Sequence, residues 1–405
     1  MAIDKQSTIS EAMWEHMRGL EHILIIGGGT GGALAHDLTL RGFRVTLVEK
    51  GELLSGTTGR HHGLLHSGAR YVLHDQKAAR ECWQENQILR RLAPQAIEPN
   101  GGLFVALNES DLAHREQFLD RCRDAGIPVR MLTGAQALAI EPALNPCIQA
   151  AVQVPDATMD AWRLPMHFFA TAQANGADIR NFTVVTGLQT TGRAVTGVEL
   201  LDLRRHRTYH VSVDLVVNSA GPWAGRIAAM AGVQVPVQLS PGVMVSVGGR
   251  LTQRVINRLQ PAGEGDIIVP QRLLSILGTT AWLSDDPDSV TVPEDHVRRL
   301  FYLAGRMVPA VARLNPHAVW SASRPLLQSA GSADPWRISR TFDCLDHAAR
   351  DGVEGLITVL GGKATTMRAM AEHAADMVCR KTGRTMACRT RQAPLLPYRR
   401  FWREA

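Results

Sequence analysis

The sequence predicts an α/β fold in which one domain is built from separated segments and a second domain is inserted between them. Three junctions indicate this, each an apolar strand that runs into small residues and then into a helix, at 23–40, 213–224 and 355–380. Segments so far apart in the chain must then share one sheet. Between the last two junctions, residues 233–280 alternate apolar runs and turns, which favours a mixed or antiparallel sheet for the inserted domain. A chain of 405 residues is long enough for both domains.

The first junction carries a dinucleotide-binding pattern. The apolar run Ile23–Ile26 suits a strand buried on both faces, and the glycines at 27, 29 and 32 fit G-x-G-x-x-G. Gly27, Gly29 and Gly32 allow a tight turn and a close approach between a helix N-terminus and a pyrophosphate. A helix over 33–40 and a strand over 43–48 follow, and Glu49 ends that strand, where its carboxylate can accept hydrogen bonds from ribose hydroxyls. This order predicts a Rossmann-like domain.

Composition argues against several other classes of protein. No apolar run reaches the roughly 18 residues of a membrane span, and the first 20 residues lack the apolar core of a signal peptide. None of the six cysteines forms a Cys-x-x-Cys pair, and no His-Glu-x-x-His occurs, so we expect no metal site. The cysteines are expected to be reduced thiols of a cytoplasmic protein.

The formal charge of +6 is concentrated towards the C-terminus. A basic end can contact anionic lipid, an acidic partner or nucleic acid, but a solvated tail is the favoured interpretation, and no nucleic-acid motif accompanies it. The residues concerned are Arg380, Lys381, Arg384, Arg389, Arg391, Arg399, Arg400 and Arg403.

The segment His62–Tyr71, with the sequence HGLLHSGARY, resembles the FAD-dependent glycerol-3-phosphate dehydrogenases of the D-amino-acid oxidase-like superfamily. Within them it is most similar to the catalytic subunits of the anaerobic, quinone-linked type, over residues 22 to about 390. Further matching segments occur in the same order along the chain: 81–89, 154–156, 217–223, 255–258, 278–280, 323–326, Asp346-His347 and 361–363.

The resemblance implies FAD as cofactor, with its ADP half on the glycine turn and Glu49. It also implies that three further segments line the pyrophosphate and flavin, with the contacts Ser55, Thr57, Thr58, Arg60, Ala220, Gly221, Gly361, Gly362 and Thr366. The implied reaction is oxidation of a secondary alcohol: a base takes the hydroxyl proton, hydride passes to the flavin, and the electrons leave to a quinone or another acceptor.

His66 is the candidate base, because neutral imidazole near pH 7 suits proton removal. His61 and His62 compete for this role, and the alternative for His66 is packing on the flavin. Lys363, which follows two glycines at a helix start, is the candidate cation for negative charge on the flavin. Its alternative is a surface lysine.

Arg70, Arg324 and Arg340 are the candidate anion clamp, since guanidinium forks suit phosphate or carboxylate. The resemblance puts arginines of these motifs around the substrate phosphate. Their alternative is ordinary salt bridging. Tyr71 is a candidate hydrogen-bonding partner of the substrate, or a packed tyrosine.

The sequence also departs from the pattern that the resemblance implies. One residue fewer separates Gly32 from Glu49, so the helix must be re-phased by about 100° or the following turn shortened. Pro241 stands where a lysine is expected, and Met367 where a tyrosine is expected. The cysteine-rich C-terminal extension of the anaerobic type is not among the 405 residues, so another partner or acceptor is expected.

The predicted organisation has an N-terminal tail at 1–20 and a basic C-terminal tail at 391–405. The FAD-binding domain takes 21–75, 150–222 and 345–390, and the substrate domain takes 76–149 and 223–344. The predicted function is oxidation of a small phosphorylated polyol, glycerol 3-phosphate by default. The alternatives are oxidation of another small anion, such as a hydroxy acid or amino acid, and a flavin-binding protein without turnover. A quinone or electron-transfer protein is the expected partner, with a possible peripheral membrane contact.

Overall fold

A computed structural model describes residues 19–288, 291–328, 334–336 and 338–403. The described chain forms two compact units. The first holds residues 19–59, 162–237 and 342–403, and the second holds 60–161 and 238–341. Most of the predicted N-terminal tail, residues 1–18, lies outside the described residues.

The strands, in chain order, are β1 (His22–Ile26), β2 (Arg44–Val48), β3 (Leu64–Leu65), β4 (Ile97–Glu98), β5 (Gly102–Ala106), β6 (Arg130–Thr133), β7 (Ala150–Val154), β8 (Ala157–Met159), β9 (Asp178–Arg180), β10 (Thr183–Thr191), β11 (Ala194–Asp202), β12 (Arg207–Ser212), β13 (Leu215–Asn218), β14 (Val237–Gly248), β15 (Val255–Arg258), β16 (Ile267–Gln271), β17 (Leu274–Gly278), β18 (Pro316–Leu327), β19 (Phe342–Asp346) and β20 (Leu356–Gly361).

The α-helices are α1 (Thr30–Leu40), α2 (Gln76–Leu92), α3 (Glu109–Leu112), α4 (Arg115–Asp124), α5 (Gly134–Ile140), α6 (Arg163–Ala174), α7 (Ala224–Ala229), α8 (Glu294–Met307), α9 (His347–Asp351) and α10 (Met367–Thr382).

The first unit contains the predicted Rossmann-like sheet. Its strands follow the order β19-β20-β13-β1-β2-β9. All neighbours pair in parallel except β19, which runs antiparallel to β20. The four inner strands β20, β13, β1 and β2 are buried almost throughout, as expected when helices cover both faces of a parallel sheet, whereas the edge strands β19 and β9 are partly exposed. A separate antiparallel sheet, β10-β11-β12, belongs to the same unit.

The second unit is built on an eight-stranded mixed sheet in the order β18-β14-β17-β16-β15-β5-β7-β6. Strands β15 and β5 pair in parallel, whereas β14 with β17, β17 with β16, β16 with β15, β5 with β7 and β7 with β6 pair antiparallel. One apolar cluster joins this sheet to α5 and α8, with Leu300, Ala304 and Met307 of α8 buried in it. A second cluster packs α2 and α4 against the sheet through contacts such as Phe104 with Phe118. Residues 60–75, assigned from the sequence to the FAD-binding domain, lie in this unit.

The sequence predicts one strand at 177–188, another at 208–217 and a helix at 293–311, and the structure divides or shortens each of them. The run 177–188 splits into β9 and β10, which lie in different sheets. The run 208–217 splits in the same way into β12 and β13. Each break contains one residue that is rare in strands, Asn181 or Asp214, but a single such residue does not reveal that the chain changes sheets. The predicted helix at 293–311 ends at Met307, two residues before Pro309, which lacks the amide that a continuing helix needs.

The described part of the basic segment 391–405, predicted as a solvated tail, is mostly exposed but is ordered by contacts within the first unit. Leu396 accepts a hydrogen bond from His167 Nδ1 at 2.7 Å, and the ring of Phe401 lies 6.2 Å from that of Phe169. Arg391 bonds Glu372 at 3.2 Å. Apolar and ionic contacts therefore order this basic segment. No helix in the part of the chain that the structure describes is both long and apolar enough to cross a membrane.

Candidate functional site

In the first unit, the predicted cofactor residues gather at one edge of the parallel sheet. Because β20, β13, β1 and β2 are adjacent and parallel, their carboxyl ends meet there. In sheet order these ends carry Gly361, the turn 219–221, the turn 27–29 and Glu49. Ligands of open α/β sheets bind at this edge.

The glycine turn is held close to its neighbour. Gly27 has φ +99°, and a Cβ atom there would lie 2.6 Å from the carbonyl oxygen of Ser219. Gly29 precedes α1, so no side chain caps the first turn of this helix, and no acidic residue lies in that turn. The arrangement leaves the helix N-terminus suited to an anionic group such as a pyrophosphate.

Glu49 reaches the glycine turn despite the shortened connection. Its Oε2 accepts a hydrogen bond from Gly28 N at 2.8 Å, and Oε1 accepts one from Gly51 N at 3.1 Å. The structure has a short turn of three residues, 41–43, between α1 and β2, with Gly42 at φ +78°. Each carboxylate oxygen has a second lone pair, so the bonds to the backbone do not preclude bonds to ribose hydroxyls.

The other two turns are also shaped by glycines. Gly221 has φ +57°, and Gly361 and Gly362 have φ +76° and +79°. A Cβ atom on Gly362 would lie 2.3 Å from the sulfur of Met370. Lys363 follows, half-buried, and its amide donates to Thr366 Oγ1 at 3.2 Å. Backbone amides, hydroxyls and a lysine at one sheet edge fit the phosphates of a dinucleotide.

The remaining predicted cofactor contacts occupy different positions. Ser55 and Thr57 lie in the loop after β2, and Thr58 Oγ1 would lie 2.4 Å from a Cβ atom on Gly29. Gly32 is buried, and a Cβ atom there would lie 2.8 Å from the ring of Phe169, so it permits close packing of α1 on α6. Arg60 is assigned to the second unit, where its carbonyl accepts a bond from Trp320.

The second unit holds the predicted substrate residues. Its histidines differ in the hydrogen-bond partners of their ring nitrogens. Gly63 N donates to His61 Nδ1 at 2.9 Å, and Leu64 N donates to His62 Nδ1 at 3.2 Å. Since both Nδ1 atoms act as acceptors, the proton of each neutral ring is on Nε2. Burial lowers the pKa of His61 to about 4, and burial with the nearby His61 and Arg70 holds the pKa of His62 well below 6.5. Both are therefore neutral hydrogen-bond donors at pH 7.

His66 lies beside Tyr71. The hydroxyl of Tyr71 is 3.4 Å from His66 Nε2, and the two ring centroids are 5.2 Å apart. The ring of His66 is 5.9 Å from that of His62. Asn86 Nδ2 donates to the carbonyls of Leu65 and His66, both at 3.1 Å, which fixes the backbone that carries the imidazole.

Each of the three predicted arginines donates to a backbone carbonyl, and Arg70 is also ion-paired. Arg70 Nη2 lies 2.6 Å from Asp266 Oδ1 and 3.1 Å from the carbonyl of Gly263. Its Nη1 is buried and has no hydrogen-bond partner among the described residues. Arg340 donates to the carbonyl of Pro335 at 2.9 Å.

Arg324 is held in the same manner at the end of the large sheet. Its Nη2 donates to Thr279 Oγ1 at 2.7 Å and to the carbonyl of Thr280 at 3.2 Å. Its Nη1 donates to the carbonyl of Ser240 at 3.2 Å. These neutral acceptors orient the guanidinium without cancelling its charge.

The pKa shifts of these side chains include the effect of one another's charges. Burial, followed by the charge of Arg340, lowers the pKa of Arg324 to about 9. Burial also lowers the pKa of Arg340, on which Tyr71 and Arg70 act as well, and burial raises the pKa of Tyr71. The structure thus brings together residues from 62–71, 324 and 340. A cationic cluster of this kind is stabilised by an anion.

Sequence reasoning missed the groups that hold these side chains. Asp266 carried no motif signal, although it is the ion-pair partner of Arg70. Asp75 was also missed; its Oδ2 accepts from Ser339 Oγ at 2.9 Å and from Arg340 N at 3.2 Å. Thr279 lay within a matching segment but was given no role. Among the described residues, no group of three or more His, Cys, Asp or Glu side chains is arranged to hold a metal ion.

Comparison with known proteins agrees with this geometry. The model of the family described as FAD dependent oxidoreductase matches residues 22–377. The chain belongs to this family of FAD-dependent oxidoreductases. Its cofactor is FAD, which fits the uncapped helix N-terminus, the glycine turns and the Glu49 carboxylate at the sheet edge.

Curated relatives and a solved structure are similar over most of the chain. The A1 component of anaerobic glycerol-3-phosphate dehydrogenase from Haloferax volcanii is 41% identical over 391 residues, which cover 94% of this chain and 67% of that protein. Its counterpart in the anaerobic glycerol-3-phosphate dehydrogenase of Escherichia coli (strain K12) is 41% identical over 371 residues, or 91% and 68% of the two chains. The FAD complex of glycerol-3-phosphate dehydrogenase from Bacillus halodurans has a TM-score of 0.74 and 24% identity, covering 96% and 71%. This last likeness concerns the fold.

Proposed function

We propose that this FAD-dependent oxidoreductase oxidises a small phosphorylated polyol, with glycerol 3-phosphate to dihydroxyacetone phosphate as the default reaction. The observation that carries the proposal is the cluster of three arginines beside two histidines and a tyrosine in the second unit. The names of the curated relatives support the same substrate.

Arg70, Arg324 and Arg340 bind the anionic group of the substrate. Arg70 contributes its buried Nη1, which has no hydrogen-bond partner among the described residues. Arg324 contributes a positive charge, since its acceptors among the described residues are neutral oxygens. Guanidinium groups can pair with phosphate oxygens through two parallel hydrogen bonds. Tyr71 bonds the substrate from within this cluster.

His66 is the base that takes the proton of the reacting hydroxyl. His62 is a less suitable base at Nε2, because that nitrogen carries the proton of the neutral ring. It can instead donate a hydrogen bond to the substrate oxygen. Tyr71 keeps the imidazole of His66 in place through its hydroxyl.

Bound FAD supplies the hydride acceptor for this reaction. Gly27, Gly29 and Glu49 hold its ADP half, with Ser55, Thr57, Thr58 and Arg60 beyond them. Ala220, Gly221, Gly361, Gly362 and Thr366 line the rest, and Lys363 stabilises negative charge on the flavin. The electrons pass to a quinone or to a partner protein, at the cytoplasmic side of the membrane.

An anaerobic screen of flavin reduction tests the proposal. Glycerol 3-phosphate should bleach the bound flavin, whereas unphosphorylated glycerol should act poorly at the same concentration. Bleaching only by a hydroxy acid or an amino acid would favour a carboxylate substrate, in line with the proline at position 241. FAD-loaded protein that no substrate bleaches, while dithionite does, would identify a flavin-binding protein without turnover.

A further inference from the structure

His347 belongs to a motif that the proposed reaction does not use. It is the first residue of α9 in the first unit, and its side chain is fully buried. Its Nδ1 lies 2.6 Å from Asp351 Oδ2, and its Nε2 lies 2.8 Å from Thr358 Oγ1 on β20. A buried imidazole bonded at both nitrogens is held in a single orientation.

The contacts continue beyond Thr358 to the turn after β13. Asn218 Nδ2 donates to Thr358 Oγ1 at 3.3 Å, and Asn218 Oδ1 accepts from Ala220 N at 3.2 Å. Asn218 Nδ2 also donates to the carbonyl of Ala224 at 2.9 Å. The side chain of Asn218 therefore ties together both ends of the turn 219–223.

Asp351 Oδ2 accepts the proton of His347 Nδ1, and Nε2 of the same ring is hydrogen-bonded to the Thr358 hydroxyl. The threonine oxygen then accepts from the amide nitrogen of Asn218, and Asn218 Oδ1 is left to face Ala220 N. With the Asn218 amide flipped, its oxygen would oppose the Ala224 carbonyl and its NH₂ group would oppose the Ala220 amide.

We propose that His347 is a positioning residue that acts through Thr358 and Asn218 to fix the turn at Ala220 and Gly221. This inference rests on the proposed role of that turn in holding FAD. The hydrogen-bond chain gives the turn one conformation before the cofactor arrives, so less conformational freedom is lost on binding.

The matched variants Thr358→Val and Thr358→Ser test the proposal. Valine keeps the shape but removes the hydroxyl, and serine restores it. In FAD-free protein, Thr358→Val should speed amide hydrogen exchange in the segment 218–224. It should also raise the dissociation constant of FAD by about three- to tenfold, the scale of one lost net hydrogen bond. Thr358→Ser should stay within about twofold of the native protein in both measurements.

Two further variants separate positioning from general destabilisation. Ile357→Val trims a buried side chain on the same strand without touching the hydrogen bonds, and it should leave both readouts at native values. His347→Phe should act like Thr358→Val, and the double variant should be no worse than the stronger single one.

The inference is overturned by native exchange and native FAD affinity in Thr358→Val, or by equal losses in Ile357→Val. Gly221→Val tests the underlying assignment separately. If it leaves FAD affinity unchanged, the turn does not hold FAD and the inference fails with it, whatever Thr358→Val does to the exchange.

Discussion

The guanidinium of Arg70 and the carboxylate of Asp266 form an ion pair with 2.6 Å between Nη2 and Oδ1. Both side chains are buried, at 6% and 2% exposure. Asp266 Oδ2 also accepts from Gly263 N at 3.1 Å, and the carbonyl of Gly263 accepts from the same guanidinium. One carboxylate thus orients both Arg70 and the turn that Arg70 contacts.

Asp266→Asn should destabilise the protein by about 3–5 kcal/mol, because it leaves a buried guanidinium without its counter-charge. Urea unfolding measures the change. Glu264→Gln is the control, since Glu264 pairs with Arg299, which is 60% exposed, and such pairs contribute at most about 1 kcal/mol. Equal losses of unfolding free energy in the two variants would show that the buried ion pair contributes no more to stability than the exposed one.

Arg324→Ala should weaken substrate binding by about 2–5 kcal/mol, since an anion is left underpaired. Arg324→Lys should restore only part, because an ammonium lacks the guanidinium fork. The loss should appear in the substrate concentration that half-saturates flavin reduction, with less change in the limiting rate. Arg298→Ala, an arginine 73% exposed on α8, should change neither quantity. If Arg324→Ala binds every anionic substrate with native affinity, Arg324 does not contact the anionic group and has only a structural role.

His66→Ala should retain FAD but slow flavin reduction roughly 100-fold or more, the usual scale for a lost general base. The deficit should shrink at high pH, where hydroxide partly replaces the base. Stopped-flow reduction measures both. His62→Gln keeps a hydrogen-bond donor and should cost less. A native rate in His66→Ala together with a large loss in His62→Gln would move the base to His62.

Gly29→Val should yield folded protein without bound flavin, because its Cβ atom would lie 2.4 Å from Thr58 Oγ1 at the proposed pyrophosphate turn. Visible absorbance reports FAD, and circular dichroism reports the fold. Gly187→Ala, where a Cβ atom meets only Glu199 Cβ at 3.7 Å, should remain yellow. Normal FAD content in Gly29→Val would remove this turn from the site.

Acid should destabilise the protein through its buried histidines. Burial lowers the pKa of His22 and of His36 from 6.5 to about 4. Between pH 6.5 and 4 these histidines are protonated in the unfolded chain but neutral in the native protein. The free energy of unfolding that they contribute above pH 6.5 is therefore lost as the pH falls towards 4. Each such group contributes up to about 1.4 kcal/mol per pH unit in this window.

His36→Leu isolates one of these contributions. Neither ring nitrogen of His36 has a hydrogen-bond partner among the described residues, so leucine should stabilise the protein and flatten its pH dependence between pH 6.5 and 4. Leu34→Ala on the same helix should destabilise equally across that range, since it removes no titrating group. An unchanged pH slope in His36→Leu would contradict the assignment. Urea unfolding at several pH values measures both.

The sequence by itself determined the fold class, the family and the cofactor. These follow from local order: an apolar strand, glycines at 27, 29 and 32, a helix, and an acid after the next strand. Such a pattern is readable because parallel strands buried on both faces must be continuously apolar, and because a tight turn before a helix needs glycine. The HGLLHSGARY segment identified the family because its residues are adjacent in the chain, so the motif can be recognised without knowledge of the fold.

Only the tertiary structure decided which distant residues meet and what holds them. Asp266 is 196 positions from Arg70 in the sequence, and no local sequence pattern predicts that the two side chains form an ion pair. At the breaks 181–182 and 213–214, where the chain moves from one sheet to another, the sequence shows only one residue each that is rare in strands, Asn181 and Asp214. The bonds that put the proton of His62 on Nε2, like the packing of the basic C-terminal segment, depend on three-dimensional contacts. Local sequence fixes backbone propensity and burial pattern, whereas ion pairing and proton position depend on the neighbours that folding supplies.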